Sequence, residues 1–126
     1  MIVLDASVLI AHMDGNDSHH AKARAVFGDN SAMPFGASEI SLAEALVVPM
    51  RAGKLEAAQW GLDRLRVIPL QLGPDVPSRL ARLRAETNHK LPDCCVLLAA
   101  LEHGGAVASF DSDLVRTAQG LGLATV

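Results

Sequence analysis

Aromatic residues are scarce in this sequence of 126 residues, which contains one tryptophan, three phenylalanines and no tyrosine. Half of the residues are nevertheless apolar. We therefore expect an interior of aliphatic side chains, mostly Ala, Leu and Val, packed between helices and strands. The composition excludes a disordered chain. The length fits one domain, residues 1–126, that hides about two-thirds of the surface of the unfolded chain.

Long apolar runs are also missing, and the only two cysteines, Cys94 and Cys95, are adjacent. A disulfide scaffold or a zinc knot needs separated cysteine pairs, so buried thiols in a reducing compartment are the simpler interpretation. The longest uncharged apolar run, residues 94–101, is far shorter than the roughly 20 residues that span a bilayer. No leader-like segment opens the sequence. We expect a soluble, cytoplasmic protein without a membrane partner.

An excess of positive charge is absent as well, since the formal net charge is -3 at pH 7. Taken alone, this charge offers no basic surface to a nucleic acid. If several of the carboxylates shared one metal site, however, the rest of the surface would be mildly basic. The net charge therefore decides little about the partner.

Short apolar runs alternate with longer stretches of helical periodicity. We predict strands at Ile2–Leu4, at residues 32–35 or their neighbours, at Val67–Leu70, at residues 106–110 and at residues 123–126. Pro49 should kink or divide the helix predicted over residues 38–53. Strands separated by helices indicate right-handed βα units. The predicted fold is α/β, a three-layer sandwich with a short, mostly parallel central sheet.

Carboxylates follow or begin several of these elements. Asp5 comes directly after the first strand, Asp93 lies in the first turn of an apolar helix, and Asp111 and Asp113 flank the start of the last helix. Taken singly, helix capping or interaction with the helix dipole explains each of them. Glu44 differs, because helical geometry surrounds it with apolar residues. We expect it to be removed from solvent and to need a cation, either a basic side chain or a metal ion.

The same acids make a stronger pattern together. In an open parallel sheet, ligands bind beyond the carboxyl ends of the strands, and Asp5 and Asp111 both follow a strand at that edge. Glu44 and Asp93 belong to helices that can lean over it. Clustered acids without basic partners nearby in sequence call for a hard divalent cation, so Mg²⁺ or Mn²⁺ is the expected cofactor. The histidines offer no zinc spacing.

Four segments, in order along the whole chain, resemble the motifs of PIN-domain ribonucleases, specifically the VapC-type toxins of bacterial toxin–antitoxin pairs. They are "IVLDASVLIA", with an acid after the first strand and a hydroxyl two residues later; "SEISLAEALV", with a glutamate in a helix; "LPDCCVLLAALEHGG", with an aspartate opening an apolar helix; and "AVASFDSDL", a strand ending in acids. The resemblance implies a PIN-like fold and a Mg²⁺-dependent endoribonuclease that hydrolyses RNA phosphodiester bonds, with Mn²⁺ as a substitute.

The resemblance also implies roles for particular residues. The residues expected to act as catalytic acids and Mg²⁺ ligands are Asp5, Glu44, Asp93 and Asp111. Asp113 would be either a further metal-site residue or only a helix charge, and Ser7 would support the metal shell without ligating the ion. The implied partners are an RNA substrate, a cognate VapB-like antitoxin that blocks the acidic site, and a second copy of the chain in a homodimer.

Basic and aromatic side chains near these motifs allow two interpretations each. Arg79, Arg82 and Lys90 precede Asp93 and are candidates for contacts with the phosphates that flank the scissile bond. A solvated helix face, with Arg82 paired to Glu86, explains them equally well. The histidines are most simply surface or loop residues, with His89 and Lys90 nearest to Asp93. Trp60 either anchors an interface or fills the core.

Other functions use the same fold class. The stretch "AVASFDSDLV" fits the D-x-D pattern of haloacid-dehalogenase-like phosphatases, in which Asp111 would be a covalent nucleophile, but in that family the motif comes early and the rest of the active site follows it. A receiver module needs an aspartate after its third strand, and here "VIPL" is followed by "QLG". An RNA-binding relative without catalysis is a third alternative, which the presence of all four acids disfavours.

Overall fold

A computed structural model describes residues 1–126, in which helices alternate with short strands along the chain. The strands are β1 (Ile2–Leu4), β2 (Phe35–Ser38), β3 (Val67–Leu70) and β4 (Ala106–Ala108). The helices are α1 (Ala6–Met13), α2 (His20–Asp29), α3 (Glu39–Arg51), α4 (Leu55–Arg64), α5 (Val76–Thr87), α6 (Leu91–His103) and α7 (Ser112–Gly120). None of these helices is long and apolar enough to cross a membrane.

The four strands form one parallel sheet in the order β3-β2-β1-β4. Successive side chains of a strand point to opposite faces, and accordingly Ile2 and Leu4 of β1 join one core cluster while Val3 joins the other. The first cluster is completed by α1 to α4 and the second by α5 to α7. Helices therefore cover both faces, and the predicted three-layer α/β sandwich is confirmed.

Helix α6 is the most deeply buried helix, because every residue from Cys94 to Ala100 is buried. It lies against β1, β2 and β4. Pro92 occupies its first turn, where the missing N–H costs nothing, and Gly104 ends it with a φ of 63°, a left-handed conformation that favours glycine. Both cysteines are free and buried, as predicted.

The structure corrects two predictions around α3: the second strand lies among the neighbours of residues 32–35, and the helix is not divided. Strand β2 begins at Phe35 and not at Ala32, since Pro34 has no N–H for the ladder and only its carbonyl joins the sheet, accepting from Ile2 N at 2.9 Å. Helix α3 runs through Pro49 to Arg51 undivided. The missing N–H of Pro49 removes one intrahelical hydrogen bond, and only two residues of α3 follow it, so little of the helix depends on that bond.

The last predicted strands are also shorter than expected. Strand β4 ends at Ala108, because the N–H groups of Phe110 and Asp111 are taken by the side chains of Ser7 and Ser109 and cannot extend a ladder. Residues 123–126 form no strand and only an isolated parallel bridge between Val107 and Thr125.

Candidate active site

Two of the acids predicted from sequence lie at the carboxyl ends of β1 and β4, which are neighbours in the sheet although they come from opposite ends of the sequence. Asp5 directly follows β1, and its N–H still donates to the carbonyl of Ala108 at 2.9 Å. Asp111 begins α7 just beyond β4. Asp93 lies in the first turn of α6, and Glu44 lies in the second turn of α3. Parallel strands deliver their carboxyl ends to one edge, and this is the edge where such folds bind ligands.

Asp5 is only 8% exposed and is held by two hydroxyl groups. Its Oδ2 accepts hydrogen bonds from Ser7 Oγ and from Ser109 Oγ, both at 2.7 Å. Asp5 occupies the N-cap position of α1, yet its side chain makes no capping hydrogen bond. Its Oδ1 accepts no hydrogen bond from the protein and is not sealed from solvent. The capping explanation for Asp5 is therefore wrong, and one carboxylate oxygen is available to a ligand.

Ser109 was missed by sequence reasoning, although it is as important to this geometry as Ser7. It is buried, and its Oγ donates to Asp5 and accepts from Asp111 N at 3.0 Å. Ser7 Oγ similarly accepts from Phe110 N at 3.1 Å. The two serines therefore fasten Asp5 to the turn between β4 and α7. The available signal was a lone hydroxyl residue at a strand end, two positions before an acid.

Asp111 caps α7, as its position predicted. Its Oδ1 accepts from Asp113 N at 2.9 Å and from Leu114 N at 3.4 Å. The other oxygen makes no hydrogen bond to the protein. Asp113 is exposed, and its side chain pairs with Arg116 one turn later on the same helix.

Glu44 is exposed, so the expectation that apolar neighbours remove it from solvent is wrong. The neighbours themselves are uncovered, with Val47 42% and Val48 69% exposed. Glu44 makes neither a hydrogen bond nor an ion pair with another residue. It lies in the wall of a groove of about 690 Å³ between α1, α3 and α4. Here this groove is called the helical groove, and its lining residues include Ile10, Met13, Glu44, Ala45, Val48 and Ala58.

The four acids interact electrostatically. Loss of hydration, followed by the charges of Asp5 and Asp93, raises the pKa of Glu44. Because Glu44 remains exposed as a residue, its loss of hydration is partial. Loss of hydration and the charge of Asp5 raise the pKa of Asp93, with a further contribution from Asp111 that the neighbouring His89 opposes. Like charges therefore face one another across this edge, which disfavours their simultaneous ionisation.

No lysine or arginine lies within ion-pair distance of these four acids. The donor set consists of carboxylate oxygens, which are the ligands that hard divalent ions such as Mg²⁺ and Mn²⁺ prefer. The side chains do not converge into a ready-made cage of three or more metal ligands. Mg²⁺ does not require such a cage, because it keeps several waters and is usually held by one or two carboxylates. The residues therefore fit a hydrated Mg²⁺ ion.

His89, two residues before α6, contacts one of the four acids, Asp93. Its Nδ1 lies 3.4 Å from Asp93 Oδ2, and its Nε2 lies 2.7 Å from Thr117 Oγ1 on α7. The side chain is only 12% exposed. His89 lies in the loop between α5 and α6, as one of the two expected interpretations has it, but its ring is mostly buried and links this loop to α7.

The three predicted phosphate-binding residues are placed differently from one another. Arg79 is tied to Glu102 at 3.0 Å, nine residues along α6 from Asp93, which corresponds to about 14 Å of helix. Lys90 is exposed at the N-cap of α6, close to Asp93. Arg82 is exposed and makes no ion pair, so the expected pair with Glu86 does not form.

Structures of toxins share this fold. The chain superposes on a toxin–antitoxin complex from Klebsiella pneumoniae with a TM-score of 0.72 and 21% identity, covering 89% of this chain and 88% of that one. It superposes on VapC20 of Mycobacterium tuberculosis, a sarcin–ricin loop cleaving toxin, with a TM-score of 0.76 and 19% identity, covering 100% and 98%. For FitAcB from Neisseria gonorrhoeae the TM-score is 0.72 and the identity 18%, covering 99% and 96%.

Identities this low establish a common fold and not a common substrate. No curated protein matches the sequence. The family model of the PIN domain, however, matches residues 2–120, which include all four acids. The chain therefore belongs to the PIN-domain family, as its four motifs predicted.

Proposed function

We propose that the chain is a Mg²⁺-dependent endoribonuclease, acting as one nuclease domain over residues 1–126, with Mn²⁺ as a substitute ion. The observation that carries the proposal is the group of acids at the carboxyl edge of the sheet. Asp5 and Asp111 each have one oxygen held by the protein and the other left free, and no lysine or arginine neutralises the group. RNA is the proposed substrate because one structural relative is a toxin that cleaves the sarcin–ricin loop.

The proposed ligands of Mg²⁺ are Asp5, Glu44, Asp93 and Asp111. A bound divalent ion would supply Lewis acidity toward the phosphate and toward the attacking water. Ser7 and Ser109 hold Asp5 so that Oδ1 stays free. The pKa values of Glu44 and Asp93 are raised, and a raised pKa suits a carboxylate that accepts a proton from water.

Outside the four acids, the proposal assigns smaller roles. Asp113 lies at the rim of the site, where Arg116 offsets its charge, so it is proposed as a helix charge and not as a metal ligand. Lys90 and Arg82 are exposed and unpaired, so they are the proposed contacts for phosphates flanking the scissile bond. Arg79 is held by Glu102 and is the weakest of the three candidates.

We also propose that the chain is the toxin of a toxin–antitoxin pair and acts in the cytoplasm, where its free thiols remain reduced. Its structural relatives include a toxin–antitoxin complex. The helical groove has mostly apolar walls and contains Glu44, so an apolar antitoxin segment that carries a basic residue would fit it and reach the acids. We expect Val48→Glu to weaken inhibition by the cognate antitoxin while leaving RNA cleavage intact.

A homodimer is the proposed assembly. Trp60 is 63% exposed and therefore does not fill the core; its ring lies 4.8 Å from the guanidinium carbon of Arg64. The exposed apolar side chains of this part of the molecule include Ile40, Val47, Met50, Trp60 and Ile68, and uncovered apolar surface of this kind marks interfaces. Light scattering should give the mass of a dimer, and Trp60→Asp should shift it toward that of a monomer.

The experiment that tests the proposed activity is cleavage of a mixed RNA pool by antitoxin-free protein with Mg²⁺, with Mn²⁺ and with EDTA. Asp93→Asn is measured beside it. Cleavage that needs the metal and disappears in the variant would support a nuclease whose chemistry depends on Asp93. Folded protein that binds RNA without cutting it under any of these conditions would favour the non-catalytic alternative.

A further inference from the structure

The acids of the site differ in what holds them. The Oδ2 atom of Asp5 is held by two serine hydroxyls, and Oδ1 of Asp111 is held by two backbone N–H groups. Glu44 is held by nothing. For Asp93, the polar group of another side chain within reach of its carboxylate is Nδ1 of His89, at 3.4 Å from Oδ2. The contact leaves Oδ1 as the oxygen of Asp93 that is free for a cation.

His89 is itself held both through its ring and through its backbone carbonyl. Its Nε2 lies 2.7 Å from Thr117 Oγ1, which also lies 3.0 Å from the carbonyl oxygen of Asp113; when the Thr117 hydroxyl donates to Nε2, Nδ1 carries the ring hydrogen that faces Asp93. The carbonyl of His89 accepts from Arg84 Nη1 at 2.8 Å. The side chain is 12% exposed, so the ring has little room to turn away from Asp93. A surface histidine with a passing contact would lack these anchors.

We propose that His89 is a positioning residue, which holds the Asp93 carboxylate for divalent-metal binding and is itself anchored by Thr117 of α7. The inference rests on the proposed function, since it assumes that Asp93 ligates the ion. Ligating carboxylates are commonly held by outer hydrogen-bond partners, and losing such a partner typically lowers metal affinity or activity by about 10- to 100-fold. His89 would then act through Asp93, without touching RNA or the metal.

Two substitutions separate the two nitrogens of the ring. In His89→Asn the amide nitrogen can take the place of Nδ1 and keep the contact with Asp93, whereas the contact with Thr117 is lost. In His89→Gln the amide reaches the place of Nε2 and keeps Thr117, whereas the contact with Asp93 is lost. The matched control is His103→Gln, because His103 lies at the other end of α6 and contacts only the carbonyl of Gln71.

The readout is the affinity for Mn²⁺ alone, measured by calorimetry or by electron paramagnetic resonance, together with thermal unfolding of each variant. We expect His89→Gln to bind Mn²⁺ about 10- to 100-fold more weakly, His89→Asn to stay within about threefold of wild type, and His103→Gln to be unchanged. Thr117→Val, which keeps the side-chain shape, should give a loss between those of His89→Asn and His89→Gln. It also keeps the test possible if a His89 variant does not fold.

The inference is overturned if His89→Gln binds Mn²⁺ like wild type, or if His89→Asn and His89→Gln lose equal affinity. A purely structural histidine would lower the melting temperature in both variants and leave the affinity of the folded protein unchanged. The two proposals can fail separately. Mn²⁺ affinities in the expected order, without any RNA cleavage, would refute the ribonuclease and keep the role of His89. Conversely, RNA cleavage that needs Asp93, together with full Mn²⁺ affinity and full cleavage in His89→Gln, would keep the ribonuclease and refute the role of His89.

Discussion

Beyond β1 and β4 the carboxyl edge of the sheet is acidic, whereas beyond β2 and β3 the same edge is mostly apolar, with Glu39 as the one acid that lines its groove. Ser38 ends β2 and is fully buried, and its single oxygen caps α3 by accepting from Ser41 N at 3.1 Å. The chain after β3 lines a groove of about 370 Å³ whose walls are mostly apolar, formed by residues that include Leu70, Leu72, Val76 and Leu80. The two halves share strand geometry and differ in the residues that follow the strands.

The comparison shows how a polar residue after a strand becomes available to a ligand. A serine that caps a helix has used its only oxygen, as Ser38 has. An aspartate has two oxygens, so Asp111 can cap α7 with one and offer the other. Asp5 does not cap at all, because serines at positions 7 and 109 hold one of its oxygens instead. Availability therefore depends on how many oxygens the local structure consumes.

Removing one negative charge from each half of the edge should give the largest difference in the rate of RNA cleavage. Asp5→Asn keeps an acceptor for the two serines and removes the charge, and we expect cleavage of RNA to fall about 10³-fold, because several kcal/mol of transition-state stabilisation depend on the bound ion. Asp75→Asn is the matched control, since Asp75 occupies the N-cap position of α5 in the apolar half and also makes no capping bond. The measurement is the initial rate of RNA cleavage with Mg²⁺. Equal losses of rate in Asp5→Asn and Asp75→Asn would contradict the division of the sheet edge into an acidic and an apolar half.

Removing a hydroxyl from the acidic half should have the next largest effect. Ser109→Ala removes a donor to Asp5 and an acceptor for Asp111 N, so we expect Mn²⁺ affinity to fall about 10- to 100-fold. Ser112→Ala is the control, because Ser112 is exposed on the same turn. An affinity in Ser109→Ala equal to that of the control would mean that Asp5 needs no support from β4.

The serine of the apolar half should affect stability and not chemistry. Ser38→Ala removes the cap of α3, and we expect the free energy of unfolding to fall by about 1 kcal/mol. The rate of RNA cleavage by the folded protein should be unchanged. Urea unfolding and cleavage assays on the same preparation test this, and a lost rate at full stability would place Ser38 in the active site.

Titration of the acidic half should give a smaller effect. Because the pKa values of Glu44 and Asp93 are raised above 4.5 and 3.8 in the folded protein, the folded state binds protons more tightly than the unfolded state. Their contribution to stability is therefore full below those ordinary values and is lost as the pH rises through the raised ones. Since Glu44 is exposed and screened by solvent, we expect less than about 1 kcal/mol.

Thermal unfolding in EDTA from pH 4 to pH 7 measures this contribution. The double variant Glu44→Gln, Asp93→Asn should have a flatter pH profile than wild type, and added Mg²⁺ should raise the melting temperature of wild type more at pH 7 than at pH 4. Identical profiles for wild type and the double variant would show that the two acids do not repel their neighbours.

The smallest effect is expected at the rim of the acidic half. Asp113→Asn should change cleavage by no more than about twofold, as exposed substitutions usually do, because Asp113 pairs with Arg116. Asp111→Asn preserves a good helix cap but removes a charge at the site, so it should lower the cleavage rate far more than Asp113→Asn does. Comparable losses in Mn²⁺ affinity for the two variants would place Asp113 among the metal ligands.

Local sequence patterns predicted where helices and strands lie better than they predicted which side chains of those elements are exposed. The bounds of β1, α1 and β3 follow from apolar runs and from the residues that end them. The exposure of Glu44 did not, because periodicity identifies an apolar helix face but not whether the same chain covers it. Val47 and Val48, apolar neighbours of Glu44 in the helix, are themselves 42% and 69% exposed.

The acids themselves could be predicted, but their support could not. Asp5 and Asp111 are recognisable because each follows a strand, a purely local property. Ser109 and His89 matter through contacts with residues or helices far away in the chain, such as Ser109 with Asp5 and His89 with Thr117. No local rule connects such pairs until the order of the strands and the packing of α6 against α7 are known.

The hydrogen bond between Ser109 and Asp5 joins residues 104 positions apart, which has a consequence for biosynthesis. A ribosome adds about 5–20 residues per second and releases the beginning of a chain first. Strand β1 leaves the ribosome long before β4, its neighbour in the sheet, so Asp5 waits for its second serine until β4 and the residues after it have emerged. A nascent chain interrupted before β4 therefore carries three of the four acids without the second serine that holds Asp5, and the order of synthesis itself delays the formation of the acidic site.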